Sequence, residues 1–204
     1  MKNQILCGLT ALLCLSACKK SSDTAAPNPP SITTPAAPTP VSPYTKFTIR
    51  SGQHYCDGNQ FRQVEIGTMS FTVKFDSSAI YTSVNPENQY DINKLLGFSD
   101  NNTDHHRYSA RYGWRWSGGA LRLFAYVYNN GAVISKELAT VAIGAEVACS
   151  ITVTSSSYLF TTNGITERLP RMSVTPKGKG YQLYPYFGGD ETAPHDVNIY
   201  IKGL

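Results

Sequence analysis

The side chains best equipped for chemistry in this chain lie in two runs. The first is Asp100-Asn101-Asn102-Thr103-Asp104-His105-His106-Arg107-Tyr108, continuing through Arg111-Tyr112-Gly113-Trp114-Arg115-Trp116. On an extended backbone Arg111, Gly113 and Arg115 share one face, and Tyr112, Trp114 and Trp116 share the other. Guanidinium groups on one face suit the carboxylates or sulfates of an acidic glycan through bidentate hydrogen bonds. The aromatic face is expected to fill a core, with a sugar-stacking platform shared with Tyr126 and Tyr128 as the alternative. Adjacent His105 and His106 would diverge on a strand and meet only on a loop. No third histidine stands at zinc-ligand spacing, so no zinc centre is expected. Asp100, Asn101, Asn102 and Asp104 are rich in oxygen, the donor calcium takes. A structural calcium at Asp100 and Asp104 is one expectation, and ordinary Asn and Asp turn chemistry is the other.

The second run is Tyr184-Pro185-Tyr186-Phe187-Gly188-Gly189-Asp190-Glu191-Thr192-Ala193-Pro194-His195-Asp196. Prolines stiffen it at both ends, and its glycines allow backbone to come close to a ligand. A stiff loop carrying Tyr186, Asp190 and His195 is a plausible binding element, and a shaped strand connection needs much the same residues. The expected ligand-binding set is therefore His105, Arg107, Arg111, Arg115, Tyr186, Asp190 and His195. No catalytic residue is assigned. Glycoside hydrolysis needs two acids beside the scissile bond. The acids here are scattered singly apart from Asp190-Glu191, with no Glu-x-Asp-x-x-Glu triplet. A Gly-x-Ser-x-Gly nucleophile elbow is also missing from the sequence.

These runs have to be positioned by strands. Ser70 to Phe75 alternates cleanly, with Phe71, Val73 and Phe75 on one face. Arg111–Trp116, a Gly118-Gly119 turn and Leu121–Tyr128 form a hairpin pattern. Its second strand separates Leu121, Leu123, Ala125 and Val127 from Arg122, Phe124, Tyr126 and Tyr128. Asn129-Asn130-Gly131 and Asn163-Gly164 mark further turns. Strands are also expected at Lys46–Arg50, Ala132–Ile134, Val147–Val153, Tyr158–Thr161, Tyr181–Phe187 and Val197–Ile201, with Pro185 demanding an edge or a bulge. One short helix is expected near Asp91 to Leu96. About nine to twelve short strands parted by turns predict one all-β domain, an antiparallel β-sandwich over residues 44–204.

From Arg111 to Gly164 the chain resembles the middle of concanavalin-A-like jelly rolls. The resemblance rests on the aromatic strand, on Leu121-x-Leu123-x-Ala125-Tyr126-Val127, and on Tyr158-x-Phe160 before Asn163-Gly164. It implies a jelly-roll sandwich and a polysaccharide as partner. The alginate-lyase signatures, an Arg-rich strand with Glu-Leu-Arg and a Gln-x-His, are missing.

The N-terminus carries an address. Lys2, an apolar run from Ile5 to Leu15 and small residues before Cys18 make a secretory signal over 1–17. The run is shorter than the ~20 residues that span a bilayer. Leu15-Ser16-Ala17-Cys18 resembles the lipobox of bacterial lipoproteins, which implies a diacylglycerol thioether and palmitate-type acylation at Cys18. Lys19 rather than aspartate after Cys18 favours the outer membrane, facing either the periplasm or the cell surface. Residues 18–43 hold Pro27, Pro29, Pro30, Pro35, Pro38, Pro40 and Pro43, a composition that makes an extended tether. Of five cysteines, only Cys56 and Cys149 fall in the domain, where an exported compartment predicts a disulfide between them.

A formal charge of +4 is mild, and no zinc-finger, recognition-helix or RNP pattern occurs, so no nucleic-acid partner is expected. The sequence thus predicts a membrane-anchored lipoprotein with a non-catalytic cell-envelope or glycan-binding module. The alternatives are a polysaccharide lyase or hydrolase of jelly-roll fold, and a purely structural envelope lipoprotein.

Overall fold

The computed structural model describes residues 42–203. The signal segment, Cys18 and the tether up to residue 41 lie outside the described residues. Twelve strands form two six-stranded antiparallel sheets. The first sheet runs β1 (Thr45–Ile49), β12 (Val197–Lys202), β3 (Thr68–Phe75), β8 (Val147–Val153), β9 (Ser157–Thr162) and β10 (Ile165–Pro170). The second runs β2 (Gln63–Ile66), β11 (Gly178–Leu183), β4 (Asn93–Ser99), β5 (Tyr108–Ser117), β6 (Ala120–Asn129) and β7 (Ala132–Val141). The expected antiparallel sandwich is the observed fold.

Alternation explains the layers. Phe71, Val73 and Phe75 of β3 and Ile199 and Ile201 of β12 face inward from the first sheet. They meet Tyr112 and Trp114 of β5 and Leu121, Leu123, Ala125 and Val127 of β6. Tyr112 and Trp114 are fully buried, so the aromatic face of β5 is core. Phe75 and Trp114 rings sit 5.4 Å apart, and Phe71 stands edge-on to Tyr112 at 5.6 Å. Each such side chain contributes roughly 1.5–3 kcal/mol by leaving water.

Tight turns set the register. The β5–β6, β6–β7 and β9–β10 hairpins turn on Gly118-Gly119, Asn130-Gly131 and Asn163-Gly164, with positive φ at all six positions. That conformation matches the twist of a two-residue hairpin, and only Gly or Asn adopts it cheaply.

The structure corrects two expectations. Asp91 to Leu96 is not helical: a single-turn helix at Pro86–Tyr90 precedes β4, which begins at Asn93. Asn85 caps that turn, its side chain accepting from Glu87 N–H. Cys56 and Cys149 are both buried free thiols, not a disulfide. Cys56 bridges Ile49 outside the β1 edge, while Cys149 on β8 pairs with Phe71 of β3. Four strand spacings therefore separate them, about 19 Å at ~4.8 Å each, far beyond the reach of a disulfide. Burial pushes the thiols up to about 11 for Cys56 and about 12 for Cys149, which keeps both protonated.

Candidate functional site

Because β5 and β6 spend one face on the core, their other faces form the outside of the second sheet. There Ser109 and Arg111 of β5, Tyr126 and Tyr128 of β6, Lys94 of β4 and Tyr181 of β11 floor a cleft of about 800 Å³. Tyr55 and Phe61 from the loop before β2, His105 and His106 before β5, and Tyr186 and Gly188 after β11 also line it.

Arg111 is the centre of this cleft. Only 7% of its surface is exposed, and no carboxylate pairs with it among the described residues. One guanidinium nitrogen donates to the Tyr184 carbonyl at 2.8 Å, and Nε has no partner. Ser109, one step along the same face, also has a buried hydroxyl without a partner. Burial draws the Arg111 guanidinium down to about 10 from 12.5, so it stays cationic at neutral pH. A buried charge of this kind costs several kcal/mol unless something outside the fold meets it.

Gly97 makes the placement possible. A Cβ there would lie 2.3 Å from both Ala110 O and Arg111 Cβ, so only glycine lets β5 lie this close to β4. The β4–β5 register shifts between Lys94 and Gly97, a bulge that turns Lys94 onto the cleft side. Lys94 Nζ lies 4.4 Å over the Tyr126 ring and donates to Ile92 O. Burial, then the charge of Arg111, lowers this ammonium to about 8.

The second run from the sequence is stitched to β4. Pro185 ends the regular ladder of β11, yet Lys94 and Tyr186 exchange backbone hydrogen bonds at 2.8 and 3.0 Å. Gly188 N–H then donates to Asn93 Oδ1 at 2.8 Å. Tyr186 stacks on His54 at 5.2 Å and meets Tyr55 edge-on at 5.0 Å, forming an aromatic wall.

His105 forms the opposite rim. Tyr181 Oη accepts from His105 N–H at 3.2 Å and lies 2.8 Å from His105 Nδ1. In the tautomer with the ring proton on Nε2 the Tyr181 hydroxyl donates to Nδ1, and in the other Nδ1–H donates to Tyr181 Oη. Burial, and behind it the neighbouring His106 and Arg111, holds His105 below the ordinary imidazole range.

The sequence-derived binding set divides accordingly. His105, Arg111 and Tyr186 meet in the cleft. Arg115 sits farther along β5, donating to the Tyr90 carbonyl at 2.8 Å and packing over Phe124. Arg107 is exposed, reaching Asn130 Oδ1 at 3.4 Å. Asp190 is exposed beyond the cleft residues, and His195 Nε2 lies against the Ser78 carbonyl on another edge. Lys94, Ser109, Tyr181 and the His54–Tyr55 wall were not in that set. Lys94 was hidden by the helix expected over it, and Tyr181 looked like an ordinary strand residue.

Asp100 corrects the calcium expectation. Its carboxylate is fully buried and holds Arg171 at 2.8 and 3.2 Å, Tyr158 Oη at 2.6 Å and the Lys179 N–H at 3.0 Å. Burial raises its pKa, but Arg171 and the other donors outweigh that and hold it below the usual carboxylate range. A calcium ion would have to displace the guanidinium, while Asp104 points into the exposed loop beyond. The Asp100–Arg171 pair is an internal strut instead.

No family model matches this chain, and no curated protein matches it by sequence. Solved structures do match its fold. The structure of alginate lyase AlyC3 superposes with a TM-score of 0.54 at 12% identity, covering 78% of this chain and 72% of that one. A functionally unknown protein from Saccharomyces cerevisiae gives 0.47 at 13% identity over 83% and 90% of the two chains. The carbohydrate binding module CBM66 from Bacillus subtilis gives 0.39 at 9% identity over 79% and 93%. The likeness to AlyC3, at 12% identity, shows the fold alone, a jelly-roll β-sandwich.

Proposed function

We propose that this chain is a membrane-anchored, glycan-binding lipoprotein whose cleft takes an anionic polysaccharide. Arg111 carries the reading: a buried guanidinium, without a carboxylate partner among the described residues, floors an open cleft. A ligand carboxylate or sulfate would supply the missing counter-charge through charge-assisted hydrogen bonds. Lys94 adds a second cation beside it, and Tyr128 and Tyr186 offer flat rings for the apolar faces of pyranoses. The structural neighbour named as an alginate lyase supports a glycan ligand. Titration calorimetry of the lipid-free protein with alginate, polygalacturonate and heparin, against neutral dextran, tests this. Binding to a polyanion that weakens with added salt is the expected result. Equal binding of dextran, or no binding at all, would refute it and leave a structural envelope role.

The anchor belongs to the same proposal. Cys18→Ala is expected to leave an uncleaved or soluble precursor in detergent partitioning, and intact mass should show acylation at Cys18 in the parent. A mature N-terminus downstream of Cys18 without added mass would overturn it.

Eliminative cleavage is the second reading, favoured by the His105–Tyr181 hydrogen bond at 2.8 Å beside Arg111. In that reaction Arg111 would meet a uronate carboxylate while the pair takes the proton alpha to it and returns one to the departing glycosidic oxygen. The carbon–oxygen bond breaks as a carbon–carbon double bond forms. Ultraviolet absorbance of the unsaturated product, lost in Tyr181→Phe, is the test. A ligand bound through Arg111 without turnover would leave binding alone.

A further inference from the structure

We propose that Asp104, His105 and His106, with Tyr181 beside them, form a binding site for one divalent transition-metal ion on the rim of the cleft. The loop before β5 does what a strand would forbid. It brings the two adjacent imidazoles to the same side, with ring centroids 4.1 Å apart. The Asp104 carboxylate stands by both: Oδ1 is 3.5 Å from His106 Nδ1, and Oδ2 is 3.7 Å from His105 Nδ1. One donor atom from each of the three residues lies within 4.8 Å of the others.

Those separations fit a metal. Tetrahedral zinc with ligand bonds of about 2.0–2.2 Å has ligand–ligand edges of about 3.4 Å. Each imidazole lies within a few tenths of an ångström of that edge from one of the two carboxylate oxygens, and small side-chain rotations would draw the set, now within 4.8 Å, onto one ion. The donors are also held before any ion arrives. Asp104 Oδ1 accepts from His106 N–H at 2.7 Å, and the Asp104 carbonyl accepts from Arg107 and Tyr108 N–H at 3.0 and 3.1 Å. His106 packs edge-on against Tyr128 at 5.5 Å, and His105 against Tyr181 at 6.0 Å.

The donor chemistry chooses the ion. Two imidazoles and one carboxylate suit zinc, cobalt, nickel or copper, whereas calcium asks for six to eight oxygens. Metal at His105 Nδ1 takes the position that Tyr181 Oη now holds, in the tautomer with the ring proton on Nε2. Tyr181 then turns its hydroxyl away or joins as an oxygen donor. Zinc and the His105–Tyr181 hydrogen bond thus exclude one another. The proposal does not depend on a glycan ligand, since the loop is complete without one.

Titration calorimetry of the untagged protein with Zn²⁺ tests it, with Co²⁺ as an optical reporter of ligand geometry. One equivalent is expected to bind, and Co²⁺ should give visible bands of a nitrogen- and oxygen-ligated ion that Zn²⁺ erases. Asp104→Asn and His106→Ala should each weaken zinc by at least about tenfold. The His106 side chain is 68% exposed, so that variant is expected to melt like the parent. His195→Ala, away from the loop, should bind as the parent does. No zinc binding, or binding that survives both loop variants and falls with His195→Ala, would overturn the site.

Discussion

Replacing Arg111 with methionine should make the fold more stable and weaken polyanion binding in the cleft. Methionine keeps an unbranched apolar stem and removes the guanidinium and its charge. In the folded protein, burial lowers the guanidinium from 12.5 to about 10. At about 1.36 kcal/mol for each tenfold change in proton affinity, the charged form is disfavoured by roughly 3 kcal/mol on folding. Against that, Arg111→Met loses the hydrogen bond to the Tyr184 carbonyl, worth about 1–2 kcal/mol including the acceptor left unpaired. The net expectation is a gain of about 1–2 kcal/mol, or about 2–8 °C in Tm for a domain of this size. Polyanion affinity should fall by about 1.5–3 kcal/mol, the usual cost of a lost charged hydrogen bond. That corresponds to about 10- to 150-fold in Kd. Differential scanning calorimetry and polyanion titration of the same two proteins measure both terms. A Tm lowered by several degrees together with unchanged binding would refute the reasoning, because Arg111 would then be a structural residue.

Asp100→Asn should destabilise the domain by about 3–5 kcal/mol in urea melts, since it strands the buried Arg171. The folded pKa of Asp100 lies below its unfolded value, so its stabilisation is present above about pH 4 and is lost as pH falls through the folded pKa. For Lys94 the folded pKa is also lowered, to about 8 from 10.5, and the unfolded chain therefore holds more protons between these values. Stability should accordingly rise with pH from about 8 to 10.5, while polyanion binding weakens above about 8 as the cation is lost; Lys94→Met should flatten both profiles. Gly189→Ala should cost about 1–3 kcal/mol, because φ is +81° and a Cβ there would lie 1.9 Å from Asp91 Oδ2. A thermal melt of that variant within 1 °C of the parent, an interval of about 0.3–0.5 kcal/mol, would contradict it.

The sequence by itself determined which faces are which. Alternation in β3, β5 and β6 sets Phe71, Tyr112, Trp114 and Leu123 each on one face of its strand because side chains on a pleated strand have a period of two, and the structure shows that face to be the core. The Gly118-Gly119, Asn130-Gly131 and Asn163-Gly164 pairs mark their hairpins because few other residues tolerate positive φ. Arg111 was also legible as an outward-facing cation, since it alternates with those aromatics. What the chain could not show locally was how strands far apart in sequence pair. β4 carries Leu95 and Leu96 side by side, both buried across a bulge, so its period is broken and it resembled a helix. Cys56 and Cys149 are separated by strand order, which no composition rule contains. Asp100 resembled a calcium ligand until the fold brought Arg171 to it from 71 residues away. The cleft itself is a product of that pairing: Lys94, Arg111, Tyr126 and Tyr181 come from four strands that adjoin only in the folded sheet. Side-chain periodicity is a local property of the backbone, whereas burial without a counter-charge is set by every neighbour at once, and only the tertiary structure decides those neighbours.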